Sequence, residues 1–101
     1  MKVNVSSVAR IQSARAYTQM ELINATRPVA GKSAVVEVSD GASVSALVAA
    51  AESALKITPP AGLSKVVLVL NDKELEGGQA LASVGIKDGS SVQVRFYVQI
   101  A

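Results

Sequence analysis

The segment from residue 92 to residue 99 alternates between apolar and polar side chains, and it is the clearest structural signal in the chain. The apolar series is Val92, Val94, Phe96 and Val98, and the polar series is Gln93, Arg95, Tyr97 and Gln99. Successive side chains of a β-strand point to opposite faces of a sheet, so this alternation predicts a strand with one buried face. The rest of the chain has to supply the layer that covers that face.

Length and composition limit what kind of protein this is. The chain has 101 residues, which is the size of one domain. Half of the residues are hydrophobic and 18% are charged, so the chain is too apolar to remain disordered. The longest apolar run, Ala46–Ala51, is far shorter than the roughly 20 residues that span a membrane, so no membrane partner is expected. No secretory segment follows Met1, which favours a cytoplasmic, intracellular location.

A strand and a helix are predicted in the middle of the chain. Ser33–Val38 alternates as a strand, and Ser43 is a suitable helix N-cap because its hydroxyl can accept a hydrogen bond from the first turn. An apolar stripe at helical spacing then predicts a helix to about Ile57. Pro59–Pro60 ends this helix, because proline cannot donate the helical hydrogen bond. The stripe consists of Val44, Leu47, Val48, Ala51 and Leu55.

The remaining predicted elements lead from this helix to the alternating strand. Lys65–Asn71 is a β-branched apolar run, which predicts a strand buried on much of both faces. Asn71–Asp72 is a turn pair, and a short extended piece follows at Glu74–Leu75. A brief helical turn then presents Leu81 and Val84 to the core.

The first third of the chain leaves two alternatives for the first strand. Lys2–Val8 alternates with Val3 and Val5 on one face, and Thr18–Asn24 is a competing segment. We predict the strand at Lys2–Val8. This choice leaves a long connection, roughly residues 9–32, before the next strand, which is unusual for a small domain.

The order and spacing of these pieces resemble ubiquitin and the ubiquitin-like domains over Ser33 to Val98. The resemblance implies an α+β fold of the β-grasp type, with a mixed sheet of four to five strands packed on one α-helix and with parallel first and last strands at the sheet centre. We therefore predict a single ubiquitin-like domain over residues 1–101. The pieces that carry the resemblance are Val36-Glu37-Val38, Ile57-Thr58-Pro59-Pro60, Lys73-Glu74-Leu75-Glu76-Gly77-Gly78, Leu81, Gly85-Ile86 and Asp88-Gly89-Ser90-Ser91.

The predicted core joins the helix stripe to the inward strand residues. Burial of each such side chain contributes on the order of 1.5 to 3 kcal/mol to folding. The predicted members are Val3, Val5, Val36, Val38, Val44, Val48, Leu55, Leu68, Leu70, Leu81, Val92, Val94 and Phe96.

The C-terminal residues distinguish two functions within the resemblance. Ubiquitin-like modifiers and the related sulfur carriers act through a flexible tail that ends in glycine, but the last glycine here is Gly89, before the final strand. Gly77–Gly78 lies in an internal loop, where we expect it to supply a backbone conformation with positive φ. We therefore predict a noncovalent protein–protein interaction or scaffold module. The alternative is a covalent modifier that matures from a longer precursor.

The resemblance implies that a partner protein docks on the sheet face away from the helix. The side chains predicted to form this partner-binding site are Val67, Val69, Gln93, Arg95 and Tyr97. Valines and a tyrosine beside an arginine form a suitable contact patch. Two other interpretations remain open: the valines are ordinary strand formers, or the segment from Ala9 to Lys32 covers them.

Positive charge is concentrated in the first third of the chain. Its bases are Lys2, Arg10, Arg15, Arg27 and Lys32, and its one acid is Glu21. Nucleic-acid binders usually cluster bases more densely and add stacking aromatics, so no nucleic acid is expected. A third hypothesis remains, in which Arg10, Arg15, Arg27 and Lys32 bind an acidic partner.

No catalytic, cofactor or metal site is predicted. The chain lacks Cys and His, which removes the commonest general base and the thiolate and imidazole metal ligands. Ala30-Gly31-Lys32-Ser33 resembles the end of a phosphate-binding loop, but a strand follows it where a helix is required. Asp40, Asp72 and Asp88 are placed in turns, where structural roles suffice. The chain is therefore predicted not to be an enzyme.

Overall fold

The alternating C-terminal segment is the middle strand of a five-stranded mixed sheet in the computed structural model. The structure describes residues 1–13, 15–27, 29–57 and 63–100. In chain order the elements are β1 (Lys2–Ser13), α1 (Gln19–Thr26), β2 (Ser33–Glu37), α2 (Val44–Leu55), β3 (Leu63–Leu70), β4 (Lys73–Leu75), a 3₁₀ turn (Ala82–Val84) and β5 (Ser91–Ile100). The predicted helix stop at Pro59–Pro60 lies outside the described residues.

The strand order is β2-β1-β5-β3-β4. β1 and β5 run parallel at the centre, in a register that extends from Asn4 opposite Ser91 to Ser13 opposite Ile100. The β1–β2, β3–β4 and β3–β5 pairs are antiparallel. The expected parallel pairing of the first and last strands is therefore present.

Helix α2 packs on one side of this sheet, which we call the inner face. Ser43 caps the helix as predicted, because its Oγ accepts a hydrogen bond from the Ala46 N–H at 3.2 Å. The apolar stripe of α2 and the inward residues of β1 and β5 belong to one buried core, in which Phe96 is fully buried. The predicted core is largely confirmed, although Val38, Val48 and Leu70 are only partly buried. The helix residues buried in this core are Val44, Leu47, Ala51 and Leu55.

The connection between β1 and β2 contains the helix α1, so the prediction of a sheet packed on a single α-helix is wrong in its helix count. β1 continues beyond Val8 to Ser13 because β5 pairs with it over this whole length. Thr18–Asn24, considered above as a first strand, belongs mostly to α1 and its cap. The reason is local: the Thr18 hydroxyl accepts from the Glu21 N–H at 3.2 Å, and the Glu21 carboxylate accepts from the Thr18 N–H at 3.0 Å. This reciprocal capping box starts a helix.

A β-bulge ends the pairing of β1 with β2. The Gly31 N–H donates to the Ser7 carbonyl at 3.1 Å, and the Ser7 N–H donates to the Lys32 carbonyl at 2.8 Å. Gly31 has a φ of 74°, which glycine adopts readily because it has no Cβ, and this is the pattern of a bulge with a left-handed glycine. Val29, just before the bulge, is fully buried in the core. The chain therefore turns from the sheet edge toward the inner face at this point.

The loop after β4 corrects the explanation given above for Gly77–Gly78. Neither residue is among those with positive φ, so the backbone conformation does not require glycine here. At Gly77 the reason is close packing, because a Cβ there would lie 2.5 Å from the Ser45 Oγ of α2. The predicted turn at Asn71–Asp72 is confirmed, with φ angles of 51° and 65°.

Within the described chain, neither helix is long and apolar enough to cross a membrane. Helix α1 has 8 residues and helix α2 has 12. Both contribute to the inner face, since Ala25 of α1 packs against the same core as α2. The predicted binding residues lie on the opposite side of the sheet.

Candidate functional site

We call the side of the sheet opposite α2 the outer face. Val94 and Phe96 of β5 are fully buried on the inner face, so the residues that alternate with them point outward. The strand register extends this face across β1, β3 and β4. Residues that lie opposite one another on neighbouring strands form three rows across this face. The rows are Ser6, Gln93, Val69 and Glu74; Val8, Arg95 and Val67; and Arg10, Tyr97 and Lys65.

Glu74 connects the cationic and aromatic side chains of the outer face. Its carboxylate accepts a hydrogen bond from the Tyr97 hydroxyl. Arg95 Nη1 lies 3.3 Å from Glu74 Oε2, and Lys65 Nζ lies 3.9 Å from Glu74 Oε1. Lys65 Nζ is also 4.7 Å from the centroid of the Tyr97 ring, which is within cation–π range. Side chains from three strands are thus held in one arrangement.

These contacts shift the pKa values of Glu74 and Arg95. The hydrogen bond from Tyr97 lowers the pKa of the Glu74 carboxyl, and the charges of Lys65 and Arg95 act in the same direction. For Arg95, the hydrogen bond to Tyr97 raises the pKa of the guanidinium. At neutral pH one carboxylate therefore faces two cations, and Arg10 adds a third beside Tyr97. This part of the outer face carries excess positive charge.

Exposure divides the predicted binding residues into two groups. Val69 is only 3% exposed, because it lies between the longer side chains of Gln93 and Glu74. The Arg95 side chain is 15% exposed, and its Nε is buried with no hydrogen-bond partner among the residues that the structure describes. Gln93 is exposed, and Val67 and Tyr97 are half-buried. A partner would therefore reach Gln93, Tyr97 and Val67 before Val69.

The structure brings all five predicted binding residues together on one face. Val67 and Val69 lie on β3, next to Gln93 and Arg95 on β5, and Tyr97 follows on β5. The described part of the segment from residue 9 to residue 32 supplies Ala25 and Val29 to the inner core, and through β1 it supplies Arg10 to the outer face. In the described chain, these contacts place both helices on the inner side.

Sequence reasoning missed several members of this face. Val8 and Arg10 join it because β1 pairs with β5 far beyond its predicted end. Lys65 and Glu74 join it through the β3 register. The alternation of β1, with Val3 and Val5 inward, was the available signal, since it places the even-numbered residues outward.

The basic residues of the first third lie on different elements. Arg10 is on the outer face, and Lys32 is in the bulge opposite Ser7. Arg15 forms an ion pair with Glu21 of α1, and Arg27 is the C-cap of α1. Their separation favours local roles over one shared basic patch.

The other candidate motifs have structural positions. Gly31 and Lys32 form the bulge described above, rather than a loop that leads into a helix. Asp88 Oδ1 accepts a hydrogen bond from the Lys2 N–H at 2.6 Å, and Asp40 Oδ1 lies 3.4 Å from the N-terminal amine. Across residues 1–13, 15–27, 29–57 and 63–100, no three acidic, Cys or His side chains are grouped as metal ligands. These aspartates stabilise turns and the start of β1.

No family model matches the chain, and no curated protein matches it. The features of the chain that bear on its function are therefore the fold and the outer face, with its cluster around Glu74, Arg95 and Tyr97.

Proposed function

We propose that this chain is a ubiquitin-like domain of β-grasp architecture that acts in the cytoplasm as a noncovalent protein-interaction module. The central parallel pair β1–β5, the helix α2 after β2, and the short β4 followed by a 3₁₀ turn support this assignment. Its partner is another protein, and its contact surface is the outer face. The proposed module works by binding alone and carries out no reaction.

The observation that carries the proposal is the mixture of side chains on the outer face. Val8, Val67 and Tyr97 are half-buried there, and Gln93 and Arg10 are exposed. Interface centres are enriched in tyrosine and arginine and combine them with apolar contacts. The outer face offers such a combination on a rigid sheet.

The ion pairs of the outer face favour binding because they order its side chains in advance. Tyr97 and Arg95 are both hydrogen-bonded to Glu74. Ordering a flexible side chain on binding costs about 0.5 to 1.5 kcal/mol, so contacts fixed in the free protein avoid part of that cost. Arg95, Lys65 and Arg10 outnumber Glu74, so the matching surface on the partner is acidic.

The proposal is tested by placing a charge at Val67. Val67 is half-buried and lies opposite Arg95, so a glutamate at this position has a cation beside it and the fold is retained. Val69→Glu is a poorer test, because it would bury a carboxylate next to Glu74. Ala54→Glu, on the exposed side of α2, is the matched control.

The measurement is quantitative affinity capture of partners from the native cell, followed by titration of any recovered protein against each variant. We expect Val67→Glu to weaken binding by at least about tenfold, as for loss of one central contact of ~1.4 kcal/mol, while Ala54→Glu binds like the unmodified chain. Equal binding by all three proteins would reject the outer face as the contact surface.

A further inference from the structure

Beyond Ser7, the edge of β1 that faces away from β5 has no strand beside it among the described residues. In the parallel pair, the even-numbered residues of β1 bond to β5, as shown by the Asn4 N–H that donates to the Ser90 carbonyl. The odd-numbered residues face the other way, toward β2, as the Ser7 bonds show. β2 pairs with β1 only from Lys2 to Ser6. In the described chain, the N–H and carbonyl groups of Ala9 and Ile11 are therefore left without a strand partner.

The bulge at Gly31–Lys32 keeps this edge open. It ends the β1–β2 ladder at Ser7, and Val29, two residues before Gly31, is buried in the core of the inner face. Proteins usually protect such an edge with a charge, a proline or a covering loop, because unpaired backbone groups are a template for another strand. Ala9 and Ile11, whose backbone groups face this edge, are small or apolar, and Arg10 is the single charged residue from Ala9 to Ser13.

We propose that the edge from Ala9 to Ser13 pairs with the same edge of a second copy of this chain, in an antiparallel arrangement centred on Ile11. A twofold axis at Ile11 sets Ile11 opposite Ile11 and Ala9 opposite Ser13. The backbone N–H and carbonyl groups that face the free edge of one copy therefore meet the same groups of the other copy. The result is one continuous sheet across both copies. This edge adjoins the outer face at Arg10, whereas Val67 and Tyr97 lie on β3 and β5 away from it, so the dimer and partner binding are tested by different variants.

The side chains of this register are compatible with self-pairing. On the outer side, Arg10 of one copy faces Gln12 of the other, so like charges do not stand opposite each other. On the inner side the two Ile11 side chains meet. The neighbouring α1 region also carries exposed apolar side chains that a second copy would help to cover. They are Tyr17, Met20 and Ile23.

Charge changes at residue 12 test both the dimer and its register. Sedimentation equilibrium of the full chain over a wide concentration range should show a monomer–dimer equilibrium. Gln12→Glu places a carboxylate opposite Arg10 of the other copy twice per dimer, which should tighten dimerisation by about 2- to 30-fold. Gln12→Arg should weaken it by a similar factor. A chain that stays monomeric throughout, or two variants that shift the equilibrium in the same direction, would overturn the proposal.

A proline at Ile11 provides an independent test. The Ile11 N–H points away from β5 and donates to no backbone group in the described chain, so Ile11→Pro removes a donor that the proposed dimer uses. We expect this variant to be monomeric with an unchanged circular dichroism spectrum, while Ile11→Val, which keeps the N–H, still dimerises. Val67→Glu, on the outer face, should dimerise normally. A dimer that survives Ile11→Pro or is lost with Val67→Glu would show that the contact lies elsewhere.

Discussion

Helices α1 and α2 both contact the inner side of the sheet, yet only α2 is part of the buried core. Four side chains of α2 are buried, and Leu47 is fully inaccessible, whereas no side chain of α1 is buried. Both helices have a hydroxyl cap at the N-terminus, at Thr18 in α1 and Ser43 in α2. Local capping is thus similar in the two helices, and tertiary packing is not.

Different interactions therefore stabilise the two helices. An isolated helix as short as α1 is marginal in water, so its capping box and its ion pair to Arg15 matter more than they would in a packed helix. Helix α2 depends on its apolar stripe and cannot open without exposing the core. We therefore expect α1 to open locally and α2 only with the whole domain.

Removal of one core side chain should give the largest effect. Leu47→Ala should lower the free energy of unfolding by about 2 to 5 kcal/mol, because it leaves a cavity in the core beneath α2. Met20→Ala, at a side chain that is 65% exposed in α1, should change it by less than about 0.5 kcal/mol. Urea titration of both variants measures the difference. Equal losses would show that α1 is as much a part of the core as α2.

Removal of the caps should separate local from global stability. Thr18→Ala and Ser43→Ala each delete one cap, which is worth about 0.5 to 2 kcal/mol. We expect Ser43→Ala to lower the global free energy of unfolding, because α2 unfolds with the domain. Thr18→Ala should leave the global value nearly unchanged and instead speed amide hydrogen exchange within α1.

Hydrogen exchange measured by NMR distinguishes these cases residue by residue. If Thr18→Ala lowered the urea midpoint as much as Ser43→Ala does, α1 would belong to the same cooperative unit as α2. If Ser43→Ala affected only the amides of α2, the contrast between the helices would be lost.

The same contrast explains what the sequence could predict. Helix α2 and strand β5 have strong short-range signals, a stripe at helical spacing and a strict alternation, and both were found. The last part of β1 has no such signal, since its inward residues after Val5 include Ser7 and Ala9. Its strand conformation comes from parallel pairing with β5, which is a contact between distant parts of the chain.

Only part of the outer face could be predicted, because a short-range pattern does not show which strands become neighbours. Alternation along β5 identified Gln93, Arg95 and Tyr97, because the side chains next to them in sequence are apolar. The burial of Val69 and the central place of Glu74 depend on which strands become neighbours, so neither could be read from one strand alone. Predicting a charge cluster that spans several strands requires the register between the strands as well as the alternation along each strand.

The smallest expected effect concerns the pH dependence of α1. The hydrogen bond from Arg15, together with the backbone hydrogen bond from Thr18, lowers the pKa of the Glu21 carboxyl from an ordinary 4.5 to about 2. A carboxyl with a lowered pKa in the folded state stabilises that state above its unfolded pKa, and this contribution is lost as the pH falls. Helix α1 should therefore lose helicity between about pH 4.5 and pH 2, as followed by its ¹³Cα chemical shifts.

Glu21→Gln is the control that separates this titration from acid unfolding of the whole domain. A glutamine side-chain oxygen can still accept from the Thr18 N–H, so the cap is retained while the titrating group is removed. We expect α1 in this variant to be less helical at neutral pH, through loss of the Arg15 ion pair, and to show no further change between pH 4.5 and pH 2. Because the pair is exposed, salt should weaken the effect in the unmodified chain and leave the variant unaffected. If α1 in this variant kept the full change of helicity with pH, Glu21 would not be the titrating group. The change would then originate in the sheet, where the pKa of Glu74 is also lowered.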